Sequence, residues 1–187
     1  MLTTRHLLLR PWQPHDRHAL LDLLDANRAR LTIDFPKTLA AVQDAATAAS
    51  FIEERIRDWY TRAGYQLGIW EVATEQCLGL FGLKNLDWTV PKAEAVYLLS
   101  ARAEGNGVMR EAAQAALAWG FERLDLERIS CHARLGNHRS GQLAERLGFQ
   151  REGLLRHAFR GGDGLLYDSA VYGLLRTDFL ALPGQTS

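Results

Sequence analysis

Ala95-Val96-Tyr97-Leu98-Leu99-Ser100-Ala101-Arg102-Ala103-Glu104-Gly105-Asn106-Gly107-Val108-Met109-Arg110 decides how this chain is read. An apolar strand runs into Arg-x-x-Gly-x-Gly. A helix is predicted at once, over Glu104 to Leu124, with Ala112, Ala113, Ala115, Ala116, Leu117 and Phe121 as good formers or core residues. Two glycines one residue apart let the backbone turn tightly with its N–H groups outward. A helix N-terminus adds unpaired N–H groups and a positive dipole end. Together they make a cradle for a diphosphate. A plain tight turn into a helix is equally compatible with these residues alone. Arg110 stands where a dinucleotide fingerprint places its third glycine, and no alternating βαβ series surrounds the stretch. Gly-Lys-Ser/Thr is absent, so a P-loop is excluded. The anion is then the pyrophosphate of something other than NAD or ATP.

Upstream, Leu7 to Arg10 reads as a strand stopped by Pro11, and Pro14 to Asn27 as a helix with Leu20, Leu21, Leu23 and Leu24. Thr32 to Leu39, with Pro36, breaks the pattern. Asp44 to Arg62 is a long helix with Ala49, Phe51, Ile52, Ile56 and Trp59 as its stripe, and Gly64 lies close to its end. Tyr65 to Trp70 and Cys77 to Leu83 are strands around a turn at Thr74-Glu75-Gln76, and Glu94 to Ser100 is a third. Downstream come a strand at Arg128 to Ala133 and a helix at His138 to Leu147 ending on Gly148. Strands at Phe149 to Phe159 and Leu165 to Leu175 flank Gly161-Gly162-Asp163-Gly164. Leu182 to Ser187 reads as a loose tail. Hairpins mixed with one strand–helix–strand crossover give an α+β (mixed α/β) class with about seven strands and about four helices.

The 187 residues suit one domain over 1–187, long enough to bury a core without staples. Lys+Arg and Asp+Glu are both 22, so the net charge is zero, which argues against holding nucleic acid mainly by field. Cys77 and Cys131 form no zinc pattern, no CxxC and no disulfide framework, and no metal is expected. Leu7-Leu8-Leu9 is far short of a signal core, and no run approaches ~18 apolar residues, so a cytoplasmic protein without a membrane segment is expected.

Asn137-His138-Arg139-Ser140 follows a strand and opens a helix, so Asn137 reads first as an N-cap. Leu147-Gly148-Phe149 and Glu152-Gly153 come after it. In this order, with Arg102-x-x-Gly105-x-Gly107 before them, these motifs resemble the GNAT superfamily of acetyl-CoA-dependent N-acetyltransferases. The resemblance runs from about Leu7 to about Leu175. Leu7-Leu8-Leu9-Arg10-Pro11-Trp12, Asp16 and Tyr167-Asp168-Ser169-Ala170-Val171-Tyr172 resemble the branch of ribosomal-protein alanine and serine N-terminal acetyltransferases (RimJ/RimL type). Relatives in that branch acetylate different amines.

The resemblance implies a mostly antiparallel twisted sheet with a splayed parallel pair at the cofactor site. It implies that backbone N–H groups around Gly105, Asn106, Gly107, Val108 and Met109 hold the pyrophosphate of coenzyme A, with Arg102 supporting the phosphate side by charge. The strand carrying Leu98 and Leu99 would pair with the pantetheine and present a backbone N–H to the thioester oxygen. An amine then attacks the acetyl thioester directly, with no covalent enzyme intermediate, and Cys131 is expected to be a buried thiol. Many superfamily members carry a tyrosine four residues before the Gly-Phe pair, where this chain has Ala144. Ser140 is the alternative proton donor to the departing thiolate, with Asn137 orienting it or bonding the pantetheine. Glu94 is the first candidate for base, directly or through a water; His132 and Asp168 follow. An α-amine, with a pKa of about 8, needs less help than a lysine at about 10.4. Phe35, Trp59, Trp88 and Tyr167 are candidate walls of the amine pocket, with Asp34 in a loop beside it. A peptide N-terminus or a small amine is the expected substrate, and a homodimer is plausible by resemblance. The alternatives are a non-catalytic acyl-CoA-binding module on the same fold, which the missing tyrosine keeps open, and an antibiotic or polyamine acetyltransferase.

Overall fold

Alternation sorts the strand side chains onto two faces, and the two faces carry different helices. In the computed structural model, which describes residues 1–182, eight strands form one sheet: β1 (Leu2–Thr3), β2 (Leu7–Pro11), β3 (Tyr65–Glu71), β4 (Cys77–Asp87), β5 (Lys92–Leu99), β6 (Arg128–Arg134), β7 (Gln150–Arg160) and β8 (Leu166–Leu175). Their order is β1-β2-β3-β4-β5-β6-β8-β7. Every neighbouring pair is antiparallel except β5 and β6, which run parallel. That exception follows from the chain path, because a helix separates β5 from β6 and returns the chain to the same end of the sheet.

One face packs Leu80, Leu98 and Trp70 against α1 (Arg17–Asp25), α2 (Arg28–Leu31), α3 (Pro36–Ala41) and α4 (Ala45–Thr61). The other packs Phe81, Ala95, Leu99, Cys131 and Tyr172 against α5 (Val108–Glu122) and α6 (His138–Arg146). Phe179 of α7 (Arg176–Leu180) joins this second core against Phe121, ring centroids 5.1 Å apart. No helix of the described residues is long and apolar enough to cross a membrane.

Most of the expected elements are present, with informative differences. The additional strand is the two-residue β1, and the additional helices α2, α3 and α7 span four, six and five residues. Elements this short carry no periodic signal. The predicted Pro14–Asn27 helix divides into a 3-10 turn over Pro14–Asp16 and α1. The left-handed residue closing α4 is Arg62 (φ 58), not Gly64. The helix expected from Glu104 starts only at Val108, because Gly105 and Gly107 adopt φ of 82 and 77, which no helix accommodates. Leu182 is packed against the core rather than loose. The rest of that expected tail, 183–187, lies outside the described residues.

Arg10 and Asp16, two of the residues that carried the branch resemblance, lock β2 to the start of α1. Arg10 donates to both Asp16 oxygens at 2.6 and 2.8 Å, Gln13 N–H donates to the same carboxylate at 2.8 Å, and the guanidinium lies 4.2 Å from the Trp70 ring centroid. Asp16 is 3% exposed. Burial pushes its carboxyl up, but the Arg10 and Gln13 hydrogen bonds outweigh burial and hold it below the ordinary value. Removing one partner of a buried pair leaves the other uncompensated, so Asp16→Ala should destabilise the fold by about 3 kcal/mol near neutral pH. Because the folded-state pKa is depressed, this contribution is present above the unfolded pKa and fades as pH falls through the folded one. Urea melts of both proteins should therefore converge on acidification; a gap that stays constant with pH would remove the ion pair as its cause.

Candidate active site

The parallel pairing of β5 and β6 covers only Lys92↔Arg128, Ala93↔Ile129, Glu94↔Ser130 and Ala95↔Cys131. Beyond that point the strands diverge, and a wedge opens inside the sheet. On its other edge β5 stays paired with β4 up to Gly79↔Leu99. Ser100 N–H donates to Leu78 at 2.7 Å. By antiparallel alternation, the backbone groups of Leu98 and Val96 then also face β4, and those of Tyr97 and Leu99 face the wedge. This corrects the expectation for Leu98, whose amide is used by β4 and whose side chain is buried against the helices. Leu99 and, unforeseen, Tyr97 are the residues whose N–H and C=O can meet an extended amide ligand.

At the wide end of the wedge stands the glycine loop. A Cβ built on Gly105 or Gly107 meets nothing within 4 Å, so the left-handed backbone faces open space. Among the described residues, no intramolecular hydrogen bond engages the N–H groups of Gly105, Asn106, Gly107, Val108 or Met109. Successive free donors at the start of a 15-residue helix fit a diphosphate. Met109 turns its side chain into the core, 7% exposed, so its contribution is its N–H. Arg102 points elsewhere: its guanidinium donates to the Cys77 carbonyl at 3.3 Å. The charged groups at the loop are instead Glu104, Arg30 and Arg139. Glu104 pairs with Arg30 at 2.5 Å and with Arg139, and Arg30 also donates to the Leu99 carbonyl. Asn27 braces the same corner, accepting from Ala101 N–H at 2.8 Å and donating to Ser100 Oγ at 3.3 Å. Asn27, Arg30 and Arg139 were missed in the sequence, which offers no signal joining residues 35 to 74 positions apart.

Asn137 is the N-cap of α6: its Oδ1 accepts from Ser140 N–H at 3.1 Å, and its Nδ2 donates to Asp34 at 3.3 Å. Both ends of the amide are engaged, so its observed role is to aim the first turn of α6 rather than to meet pantetheine. Ser140, in that turn, is half-buried beside the wedge. Its Oγ lies 3.1 Å from the phenol oxygen of Tyr97.

The base candidates separate in space. Glu94 sits in the paired stretch below the wedge, its carboxylate 3.0 Å from Lys84 Nζ and 2.8 Å from Asn85 Nδ2. His132 is exposed on β6, opposite Val171. Asp168 accepts from His157 N–H at 2.9 Å, which ties it to the β7 bulge. Cys131 is 3% exposed, and burial pushes its thiol up to about 12, so it is inert as a nucleophile. Among the described residues no group of three or more His, Cys, Asp or Glu is placed to hold a metal.

On the α1–α4 face, Arg134 donates to Asp34 at 2.8 Å and lies 5.0 Å from the Tyr167 ring centroid, while Tyr167 hydrogen-bonds Asp163. The loop before α3 and the β7–β8 turn thus meet at the open end of the sheet, where Gly162 N–H donates to Ile33. Tyr167 and Asp34 stand where a pocket wall was expected. Trp59 and Trp88 do not. They join Tyr65 and Trp119 in an aromatic cluster, and Trp88 lies in the turn before β5, at the opposite end of the sheet from the wedge.

The cradle is directly testable. Gly107→Glu adds bulk and negative charge to an open left-handed position, at a folding cost of about 1 kcal/mol. Calorimetry should show loss of coenzyme A binding with a cooperative melt retained; binding of wild-type strength would refute the cradle.

A family model described as "Acetyltransferase (GNAT) domain" matches residues 6–150. YdaF of Bacillus subtilis (strain 168), named "Putative ribosomal N-acetyltransferase", is 29% identical over 178 residues, 93% of each chain. The crystal structure of a ribosomal-protein-S5-alanine acetyltransferase from Vibrio fischeri superposes with a TM-score of 0.87 at 18% identity, over 95% of this chain and 97% of that one. RimL, a ribosomal L7/L12 α-N-protein acetyltransferase solved with coenzyme A, does so with a TM-score of 0.84 at 22% identity, over 92% and 95%. At these identities the two structures speak for the fold. The wedge, the glycine cradle and the matched stretch converge: this chain belongs to the GNAT acetyltransferase family and is an N-acetyltransferase that uses acetyl-CoA.

Proposed function

We propose that residues 1–187 act as one domain that transfers acetyl from acetyl-CoA to the α-amine of a protein or peptide N-terminus. The observation that carries this reading is the state of the carboxylates around the wedge. Asp34 is paired with Arg134, Asp163 is bound by Tyr167, and Glu94 is paired with Lys84. Little acidic charge is left to attract a polycation, and no strong base is poised to strip a lysine. An α-amine, with a pKa of about 8, is neutral often enough for a water or a weak base to suffice. The names of YdaF and of the Vibrio fischeri enzyme, both pointing to ribosomal substrates, agree with it. The zero net charge supports a brief encounter with such a substrate rather than a stay on nucleic acid.

In this reading the N–H groups from Gly105 to Met109 hold the pyrophosphate. The backbone of Leu99 and Tyr97 lines the pantetheine, with one N–H serving the tetrahedral oxyanion. Ser140 protonates the departing thiolate with the positive end of α6 beside it. Glu94 relays the amine proton through water. The homodimer is carried as a proposal too: β7 is the terminal strand of the sheet and is exposed, with Leu154 and Leu155 on its surface. Sedimentation showing only monomer at every concentration would remove it.

Acetyl-CoA should release free thiol with peptides bearing small N-terminal residues, and much less with N-blocked lysine peptides or with spermidine. A preference for spermidine would replace this reading by the polyamine one. Tight coenzyme A binding with no turnover on any amine would favour a non-catalytic module. Ser140→Ala should lower kcat by about 10²-fold or more, the low end for general acid catalysis, with near-normal coenzyme A affinity; unchanged turnover would exclude Ser140.

A further inference from the structure

The tyrosine expected on α6 is absent, yet a phenol reaches the same turn from the strand. Tyr97 stands on β5 two residues past Ala95, the last residue that pairs with β6. Its ring stacks on Phe81 of β4, centroids 6.1 Å apart and planes 11° from parallel, so its direction is fixed by packing. Its hydroxyl is 3.1 Å from Ser140 Oγ and 3.3 Å from the Ser140 carbonyl oxygen. This contact ties β5 to the first turn of α6, the helix that follows β6. Ala144, where superfamily members carry their tyrosine, is 1% exposed and offers no hydroxyl.

We propose that Tyr97 is the positioning residue for Ser140 in the proton transfer to the departing thiolate. The inference rests on Ser140 being the donor. The phenol has one hydrogen and two acceptors. While it donates to the Ser140 carbonyl, the Ser140 O–H can donate back to the phenol oxygen, which holds the serine in one rotamer. When the phenol hydrogen turns to Oγ, the serine hydrogen is released toward the wedge. The amine nitrogen then bonds to the acetyl carbon, the C–S bond breaks, and its electron pair stays on sulfur. Ser140 gives its proton to that sulfur and regains one from solvent, which has received the proton lost by the amine. Tyr97 ends as it began, protonated. Burial pushes its phenol well above the ordinary range, which suits a group that donates a hydrogen bond without losing its proton.

The test uses Tyr97→Phe, which keeps the ring on Phe81, together with Ser140→Ala and the double variant. Each is checked for melting temperature and coenzyme A affinity. Tyr97→Phe should lower kcat at least about tenfold with KM for acetyl-CoA, affinity and melting temperature unchanged. The double variant should be no slower than the slower single one, since both remove the same function. The defect of Tyr97→Phe should grow with rising pH, as solvent protonation of sulfur becomes less available; a packing defect would not depend on pH. Full activity of Tyr97→Phe beside a slow Ser140→Ala would overturn the role of Tyr97 alone. Full activity of Ser140→Ala would overturn the donor reading beneath it. A pH-independent loss with a lowered melting temperature would make Tyr97 structural only. If Tyr97→Phe does not fold, 3-fluorotyrosine at position 97 keeps ring and hydroxyl while making the phenol a stronger hydrogen-bond donor, and a kcat unchanged by it would overturn the proposal.

Discussion

Everything at this site depends on hydrogen bonds that the sheet does not make. β5 and β6 pair over four residues and then separate, leaving the backbone of Tyr97 and Leu99 without a strand partner in the interior of the sheet. Buried N–H and C=O groups left without partners are costly. A fold keeps such a gap only when the surroundings force it and something completes it. Here the force is divergence on both sides. β4 holds β5 through Gly79↔Leu99, and β8 holds β6 along its whole length, Arg128↔Leu175 to Arg134↔Ser169. Arg30 partly completes the gap by donating to the Leu99 carbonyl. An extended amide chain such as pantetheine has the donors and acceptors to complete the rest.

The same economy governs charge. A chain with zero net charge binds a polyanion, so its attraction must be local. The structure offers free N–H groups at two left-handed glycines and a helix start, with arginines nearby whose positions are set by Glu104. That carboxylate gathers Arg30 and Arg139 beside the cradle. A pair in solvent stabilises the fold by little, typically ~0–1 kcal/mol, so its effect is on where the cations stand rather than on stability.

What the sequence made legible was local. Gly105-x-Gly107 before an alanine-rich helix, and Asn137 before Ser140, express constraints satisfied within a few residues, and the fold honours both. The loop geometry even corrects the helix start, since two positive φ values exclude Glu104 to Gly107 from α5. What stayed hidden was of two kinds. Elements such as β1, α2, α3 and α7 are too short to show a period. Contacts such as Arg30–Leu99, Asp34–Arg134 and Tyr97–Ser140 join positions 43 to 100 residues apart, and only the topology brings them together. Trp59 and Trp88 illustrate the converse. Aromatic residues suggested a pocket wall, but an aromatic ring buries area wherever the sheet offers it, and here that was the far end.

The transfer of the phenol from helix to strand has a physical logic of its own. A tyrosine on α6 would be positioned by a nine-residue helix whose start depends on one asparagine cap. A tyrosine on β5 is positioned by the strand whose Tyr97 and Leu99 backbone faces the wedge, so the phenol and that open backbone share one rigid element. Any shift of α6 moves Ser140 relative to the wedge, and the Tyr97–Ser140 contact opposes such a shift because it ties α6 to β5. Ser140 and the wedge-facing backbone of β5 are thereby fixed relative to each other. Misplacement by about 1 Å can cost on the order of 10²-fold in rate, which is where a single hydrogen bond of modest stability acquires a large kinetic effect.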